Sequence, residues 1–358
     1  MNILIYSQYL FGLGHMVRAV VLATALAEKH GVYLINAGYS TQALIPHHGY
    51  NVKDLYTGKS PSDLGNLYHE NLLHTRIIQL CDITHDVAPD VILIEAYPFA
   101  RRKFKSEVIP FLKFVRKKYP HCQICSSVRD VLLKYGGDEA HRNFVITELN
   151  KRFDRLFIHS DPNYIRLDQT FGSLSPIKCR VEYTGFVCRG PDADIQRKSW
   201  HDGGSIVVSY GGSIVGNEII EATLHCHQKF FGHRELHIFT NPTHTHNHGY
   251  IKNVHFHGFD WDYINFLGSA AVSVSMGGYN SVIEAIRCKT PSVIVPYNQN
   301  NEQDIRLELL RDSGLFEVIA GDKLNPATLK IAIEKVVNKQ PCQDKINLDG
   351  AGYIKREL

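Results

Sequence analysis

The residues best suited to do chemistry sit where short apolar runs end. NILIY at 2–6 leads to Gly12, Gly14 and His15, and the segment MVRAVVLATALAEKH that follows has its apolar positions at helical spacing. The glycines let the backbone turn tightly. His15 then falls at a helix start, where the positive helix end disfavours an imidazolium and helps keep the ring a neutral base. A neutral base suits an attacking hydroxyl that must lose its proton, a contribution of roughly two to four decades of rate. A histidine that merely caps or packs a helix end is the alternative, and the position after the first run weighs against it. In the carboxy-terminal half, SIVVSYGG ends in Gly211, Gly212 and Ser213, and AAVSVSMGG ends in Gly277 and Gly278, followed by Tyr279, Asn280, Ser281 and the helical VIEAIRCK. Each turn can offer bare backbone N–H groups and a positive helix end, so the two together suit a diphosphate without many Lys or Arg side chains.

Other candidates carry competing readings. Glu95 closes the run in ILIEAYPFARRKF, where it could meet an acceptor, hold His15, or pair structurally with Arg101 or Arg102. Arg129 and Asp130 close another run and could pair with each other. Gly12, Gly14 and Arg18 resemble a damaged GxGxxG, but VYLIN is followed by AGYS and lacks the acid a dinucleotide site needs. Cys122 and Cys125 form a CxxC with no second pair nearby, which reads as strand, and the eight cysteines read as reduced thiols. The histidines of LHIFTNPTHTHNHGYIKNVHFHG lack a nearby carboxylate or thiol set and read as a polar surface loop, so no metal site is expected. RRKFKSEVIPFLKFVRKK at 101–118 could form a basic amphipathic helix, which leaves a peripheral membrane contact open beside packing on a sheet; Pro110 predicts a break in it.

The elements that must position these residues alternate. Strand-like runs at 2–6, 32–36, 90–96, 123–128 and 155–160 are separated by helix-like segments, and the pattern restarts at 205–212, 236–240, 254–258, 270–278 and 291–297. That predicts an α/β protein with two doubly wound parallel-sheet domains. The expected division is an amino-terminal domain at 1–190, a linker at 191–203 within the Gly-, Pro- and charge-rich CRGPDADIQRKSWHDGG, a carboxy-terminal domain at 204–340, and a last segment, 341–358, returning toward the first domain. Ligands of such sheets bind at the carboxyl ends of strands, so the chemistry is expected in a central cleft between the domains. A length of 358 residues suits two cores, and 39 basic against 36 acidic residues give a charge of +3, too weak to imply a nucleic-acid partner. The apolar start lacks a basic n-region and no run reaches the roughly 18 residues of a membrane span, so a cytoplasmic protein is expected, with attachment at the inner membrane face left open.

The stretch GGYNSVIEAIRCKTPSVIVPYNQNNEQDIRLELLRDSGL at 277–315, with LFGLGHMVRAVVLATAL and ILIEAYPFARRKF, resembles GT-B glycosyltransferases. It is most similar to the family of the bacterial transferase that adds N-acetylglucosamine to a lipid-linked peptidoglycan precursor, and to that family's predicted-glycosyltransferase relatives. The resemblance implies a GT-B architecture and inverting transfer from a nucleotide diphosphate sugar, UDP-sugar favoured, to a small-molecule, lipid-linked or saccharide acceptor, without cofactor or metal. It implies that Gly14, Gly277, Gly278, Asn280 and Ser281 hold the donor diphosphate with Gly211, Gly212 and Ser213. It further implies that Glu284 takes the ribose hydroxyls, that Glu302 and Gln303 read the donor sugar, and that His15, with Glu95, is catalytic. A nucleotide-sugar hydrolase or epimerase, and a non-catalytic nucleotide-sugar binding protein, are the rival readings of the same residues.

Overall fold

The computed structural model describes residues 1–8, 13–38, 45–46, 49–55, 70–100, 102–132, 139–209, 216–240, 250–297, 301–311, 314–339 and 346–358. The chain divides into two compact units, Met1–Val187 with Asp349–Leu358, and Cys188–Leu348. The fold is α/β, with one parallel sheet in each unit, as the alternation of runs predicts.

In the first unit, β1 (Asn2–Ser7), β2 (Gly31–Asn36), β3 (Asn51–Asp54), β4 (Val91–Glu95), β5 (Gln123–Arg129), β6 (Arg155–His159) and β7 (Arg180–Tyr183) form a sheet in the order β3-β2-β1-β4-β5-β6-β7. Strands covered on both faces need continuous apolar runs, and Ile3, Leu4, Ile5 and Tyr6 of β1 and Ile92, Leu93 and Ile94 of β4 are all buried. The connections lead outward in opposite directions from β1 and β4, so these two neighbours flank the point where the strand order reverses. Helix Gly14–Ala27 follows β1 and buries Met16, Val17, Val20, Leu22 and Leu26.

Helix Lys105–Lys118 runs without a break through Pro110, which lies on its exposed side, contrary to the expected interruption. Its apolar face, Val108, Phe111, Leu112 and Val115, is packed in the core of the first unit. The helix therefore has its apolar side already occupied, and its exposed side carries Lys105, Lys113, Lys117 and Lys118 beside Ser106 and Pro110. Its single acid, Glu107, points inward to an ion pair with Arg76 and a hydrogen bond from the Tyr6 hydroxyl, all three buried. Among the described residues no helix is long and apolar enough to cross a membrane.

The second unit holds β8 (Ile206–Ser209), β9 (Leu236–Phe239), β10 (Val254–His257), β11 (Val272–Ser275), β12 (Ser292–Ile294) and β13 (Phe316–Val318), in the order β10-β9-β8-β11-β12-β13. Here β8 and β11 flank the reversal point. His237, His255 and His257 are on the paired strands β9 and β10, where the runs at 236–240 and 254–258 place them: His237 stacks on His255 with ring centroids 4.9 Å apart and hydrogen-bonds His257 at 3.1 Å. His244, His246 and His248 lie outside the described residues. The segment after Val187 packs on this unit, with Arg197 donating to the Cys288 carbonyl and the Asp192 backbone N–H to Asn265. Asn325 starts helix Pro326–Val336 with a capping box, accepting from the N–H groups of Ala327 and Thr328.

The last helix, Gly350–Glu357, closes the first unit. Arg155 makes a two-pronged pair with Glu182 at 2.7 Å and reaches Glu357 at 2.9 Å, and Tyr353 donates to Glu182 at 3.0 Å. The helix approaches so closely that a Cβ on Gly350 would lie 2.5 Å from the Gly185 carbonyl oxygen, whereas one on Gly352 would meet only the swinging side chain of Asp349. Gly350→Ala should therefore cost about 1–3 kcal/mol of stability in urea unfolding. Gly352→Ala should cost little, because the helix gains up to about 1 kcal/mol from alanine; equal costs would contradict this docking.

Candidate active site

At the reversal point of the first sheet, two connections bring three charged groups together. The connection after β1 starts helix Gly14–Ala27 with Gly14 as its first residue and His15 as its second. Glu95 ends β4, opposite Ser127 of β5. The backbone turns sharply just beyond it, since Ala96 has φ 62° and donates its N–H to the Ser127 carbonyl at 2.7 Å. A non-glycine residue in that left-handed region stores about 1–3 kcal/mol of strain, which the surrounding sheet must hold.

His15 Nδ1 lies 2.9 and 2.8 Å from the two oxygens of Glu95. Arg18, one helical turn further on, pairs with the same carboxylate and places Nη2 3.2 Å from His15 Nδ1. Side-chain exposures of 17% for His15 and 2% for Glu95 put the carboxylate behind the imidazole. Burial pushes the Glu95 carboxyl up, but the charges and hydrogen bonds of His15 and Arg18 outweigh it and hold the group well below the usual carboxylate range. An ionised carboxylate only accepts hydrogen bonds, so its short contact with Nδ1 assigns that nitrogen the proton. The expected pairing of Glu95 with Arg101 or Arg102 does not describe this site: Arg102 is exposed and stands over the Phe144 ring, and Arg101 lies outside the described residues.

Behind the cluster, His159 ends β6 fully buried, with Nε2 2.5 Å from the Ser127 hydroxyl and Nδ1 3.1 Å from that of Thr184. Burial, then the Arg18 charge, push it down to about 3 against the pull of Glu95. Asp130 is buried and accepts from the Val131 N–H at 2.7 Å.

At the reversal point of the second sheet, Gly277 and Gly278 follow β11, and Gly278 is the N-cap of helix Tyr279–Cys288. Asn280 and Ser281 are half-buried in the first turn, whose N–H groups have no partner within the helix. The two glycines differ in kind. A Cβ on Gly277 would sit 3.0 Å from Gln303 Cβ and 3.2 Å from Leu307 Cδ1, so Gly277 permits the close approach of helix Asn301–Leu309. A Cβ on Gly278 would meet nothing within 4 Å, so its backbone borders open space. Gly211, Gly212 and Ser213, which follow the neighbouring β8, lie outside the described residues.

Glu302 and Gln303 face that turn from helix Asn301–Leu309. Glu302 pairs with the fully buried Arg306 at 2.7 Å, and Arg306 Nη1 donates to the Gly277 carbonyl at 3.0 Å. The Gln303 carboxamide oxygen accepts from the Tyr297 N–H at 2.9 Å. Glu284 is buried, not on a solvated face, and both its oxygens take hydrogen bonds from Arg189, at 2.7 and 2.9 Å. The Arg189 guanidinium lies over Trp261 and Tyr263, 5.6 and 5.4 Å from their ring centroids. The Tyr263 hydroxyl reaches Ser209, the last residue of β8, at 3.1 Å.

Three arginines were not among the sequence candidates. Arg18 stands three residues after His15 and Arg306 four after Glu302, spacings that share a helix face and so carried a usable signal. Arg189 had none, because its partner lies 95 positions away. Stability should report the buried imidazole directly. An unfolded histidine titrates at about 6.5, so below that pH the unfolded chain binds a proton that folded His159 refuses down to about 3, and stability falls as the pH drops. His159→Asn should flatten the decline of the urea midpoint between about pH 6.5 and 4.5, above the range where Glu95 contributes. His30, His237 and His257, also pushed down by burial, should contribute to the slope that remains; an unaltered slope would show that His159 does not titrate this way.

Comparison with known proteins follows the same division. Residues 206–348 match the glycosyltransferase family 28 C-terminal domain. No curated protein sequence matches the chain. Among solved structures it is similar to the calicheamicin glycosyltransferase CalG4 (TM-score 0.62, 15% identity, 99% of this chain and 93% of that one). It is also similar to the spinosyn forosaminyltransferase SpnP (0.62, 15%, 100% and 94%) and to the spinosyn rhamnosyltransferase SpnG complexed with thymidine diphosphate (0.60, 14%, 100% and 96%). These likenesses establish the GT-B fold over the whole chain. The second unit thus matches a glycosyltransferase domain, and the chain as a whole has the GT-B fold of these enzymes.

Proposed function

We propose that the protein transfers a sugar from a nucleoside diphosphate to a hydroxyl-bearing acceptor with inversion, and that His15 is the base. The observation that carries this reading is the hydrogen bond of His15 Nδ1 with the buried, ionised Glu95, which leaves proton removal to Nε2. In the transfer step the acceptor O–H gives its proton to Nε2 while its oxygen bonds to the anomeric carbon. The bond from that carbon to the diphosphate breaks, and its electron pair stays on the departing phosphate oxygen. The positive end of helix Tyr279–Cys288 and the backbone at Gly277, Gly278, Asn280 and Ser281 stabilise that charge, with the turn at Gly211, Gly212 and Ser213 and with Gly14 as further donors. Helix end and backbone amides replace a cation in this scheme, so neither metal nor cofactor is required. Glu284, steadied by Arg189, takes the ribose hydroxyls, and Glu302 and Gln303 take the donor sugar. A pyrimidine base is favoured, both by the peptidoglycan-enzyme resemblance and by the thymidine diphosphate bound to the spinosyn enzyme. The lipid-linked, small-molecule or saccharide acceptor and a cytoplasmic site of action belong to the same proposal.

A thermal-shift comparison of UDP-, dTDP- and GDP-sugars tests the donor assignment. A ligand at one hundred times its dissociation constant adds about 2.7 kcal/mol of stability, so one of the pyrimidine nucleotides should raise Tm in EDTA-containing buffer. No shift with any nucleotide, or a shift abolished by EDTA, would overturn the assignment. Gly278→Ala should leave the ligand-free Tm in place, because its methyl enters open space, yet abolish the shift. His15→Ala should keep the shift and lose at least about a hundredfold in rate. An unaltered rate would remove His15 from the chemistry.

A further inference from the structure

A histidine held by a carboxylate is complete with two residues, yet the first unit supplies a third. In a water-excluded site, a carboxylate beside an imidazole favours the imidazolium. A base that is already protonated when the acceptor arrives cannot remove the acceptor's proton. A plain buried His–Glu pair therefore works against the neutral state it is meant to serve.

Arg18 alters that balance through geometry. It shares the Glu95 carboxylate with His15 and brings Nη2 to 3.2 Å from His15 Nδ1. An imidazolium at His15 would then face a fixed like charge at contact distance and would have only part of the carboxylate to itself. The start of helix Gly14–Ala27 contributes a positive helix end. β5 contributes the neutral hydroxyl of Ser127, and β6 contributes His159, kept uncharged by burial.

We propose that Arg18 is a positioning residue that keeps His15 in its neutral, proton-accepting form by sharing Glu95 and opposing a second positive charge. A guanidinium suits the task because it remains charged at every working pH and its planar fork holds a fixed orientation against the carboxylate. The charge balance is a property of the three side chains in the ligand-free protein, whereas its catalytic consequence rests on the reading of His15 as the base.

The test is an NMR titration of histidine-labelled, ligand-free protein, with the His15 signal assigned by its loss in His15→Gln. Wild-type His15 should titrate at or below the ordinary value of about 6.5. In Arg18→Met it should rise by at least one unit, about tenfold in proton affinity, while Arg18→Lys should stay near the wild type. An unshifted value in folded Arg18→Met overturns the proposal. A wild-type value above about 7.5 overturns it without any variant, which covers the case in which Arg18→Met does not fold. A residue that only braced the fold would change Tm and leave the titration in place. Failure of the base assignment would show separately, as an unchanged rate in His15→Ala with the Arg18 effect on the titration intact.

Discussion

A carboxylate with 2% of its side chain exposed cannot stay ionised on its own, and Glu95 is such a group. Transferring a lone carboxylate out of water costs several kcal/mol, so the fold must bring compensating charge or the group takes up a proton. Both compensating groups come from one helix. Helix Gly14–Ala27 starts directly after the loop that follows β1, and its second and fifth residues, His15 and Arg18, face the end of β4. This requires β1 and β4 to be neighbours in the sheet, although 83 residues lie between Ser7 and Val91 in the sequence, and the order of the sheet provides that adjacency. The same adjacency opens the gap between outward-leading connections where a ligand of a parallel sheet binds.

The second unit meets a related requirement by different means. Its glycine turn is fixed by side chains that come from another element. Helix Asn301–Leu309 holds it from behind: Arg306 donates to the Gly277 carbonyl, Gln303 packs against Gly277, and Glu302 fixes Arg306. One glycine is needed for that close packing and the next for the open side.

The alternation of runs made the two parallel sheets legible, because a strand covered on both faces has to be apolar throughout. His15 and the Gly277–Gly278 turn were legible for the same reason, since both follow directly on such runs. The partners were not. Arg189 meets Glu284 across 95 positions and Glu95 meets His15 across 80, distances over which a sequence carries no pairing signal. Charge in sequence gives no burial either, and Glu284, Glu302 and Gln303 are all buried. The basic segment at 101–118 was legible as a helix packed by its apolar side, but not as one that runs unbroken through Pro110. Its apolar positions are the sheet-facing side of an ordinary covering helix, and its one acid is turned inward to Arg76.

That inward turn belongs to a pattern. Arg18 pairs with Glu95, Arg76 with Glu107, Arg155 with Glu182, Arg189 with Glu284 and Arg306 with Glu302, each with its carboxylate buried. Buried pairs contribute little net stability compared with apolar packing, because desolvation offsets most of the attraction. What they supply is direction: two-pronged guanidinium contacts fix one arrangement among many that apolar packing would tolerate. Four of the five lie where arrangement matters most, beside His15, behind the glycine turn, at Glu284 and under the closing helix. Their cations are spent on carboxylates, so the charge of +3 describes a protein whose arginines orient its own elements.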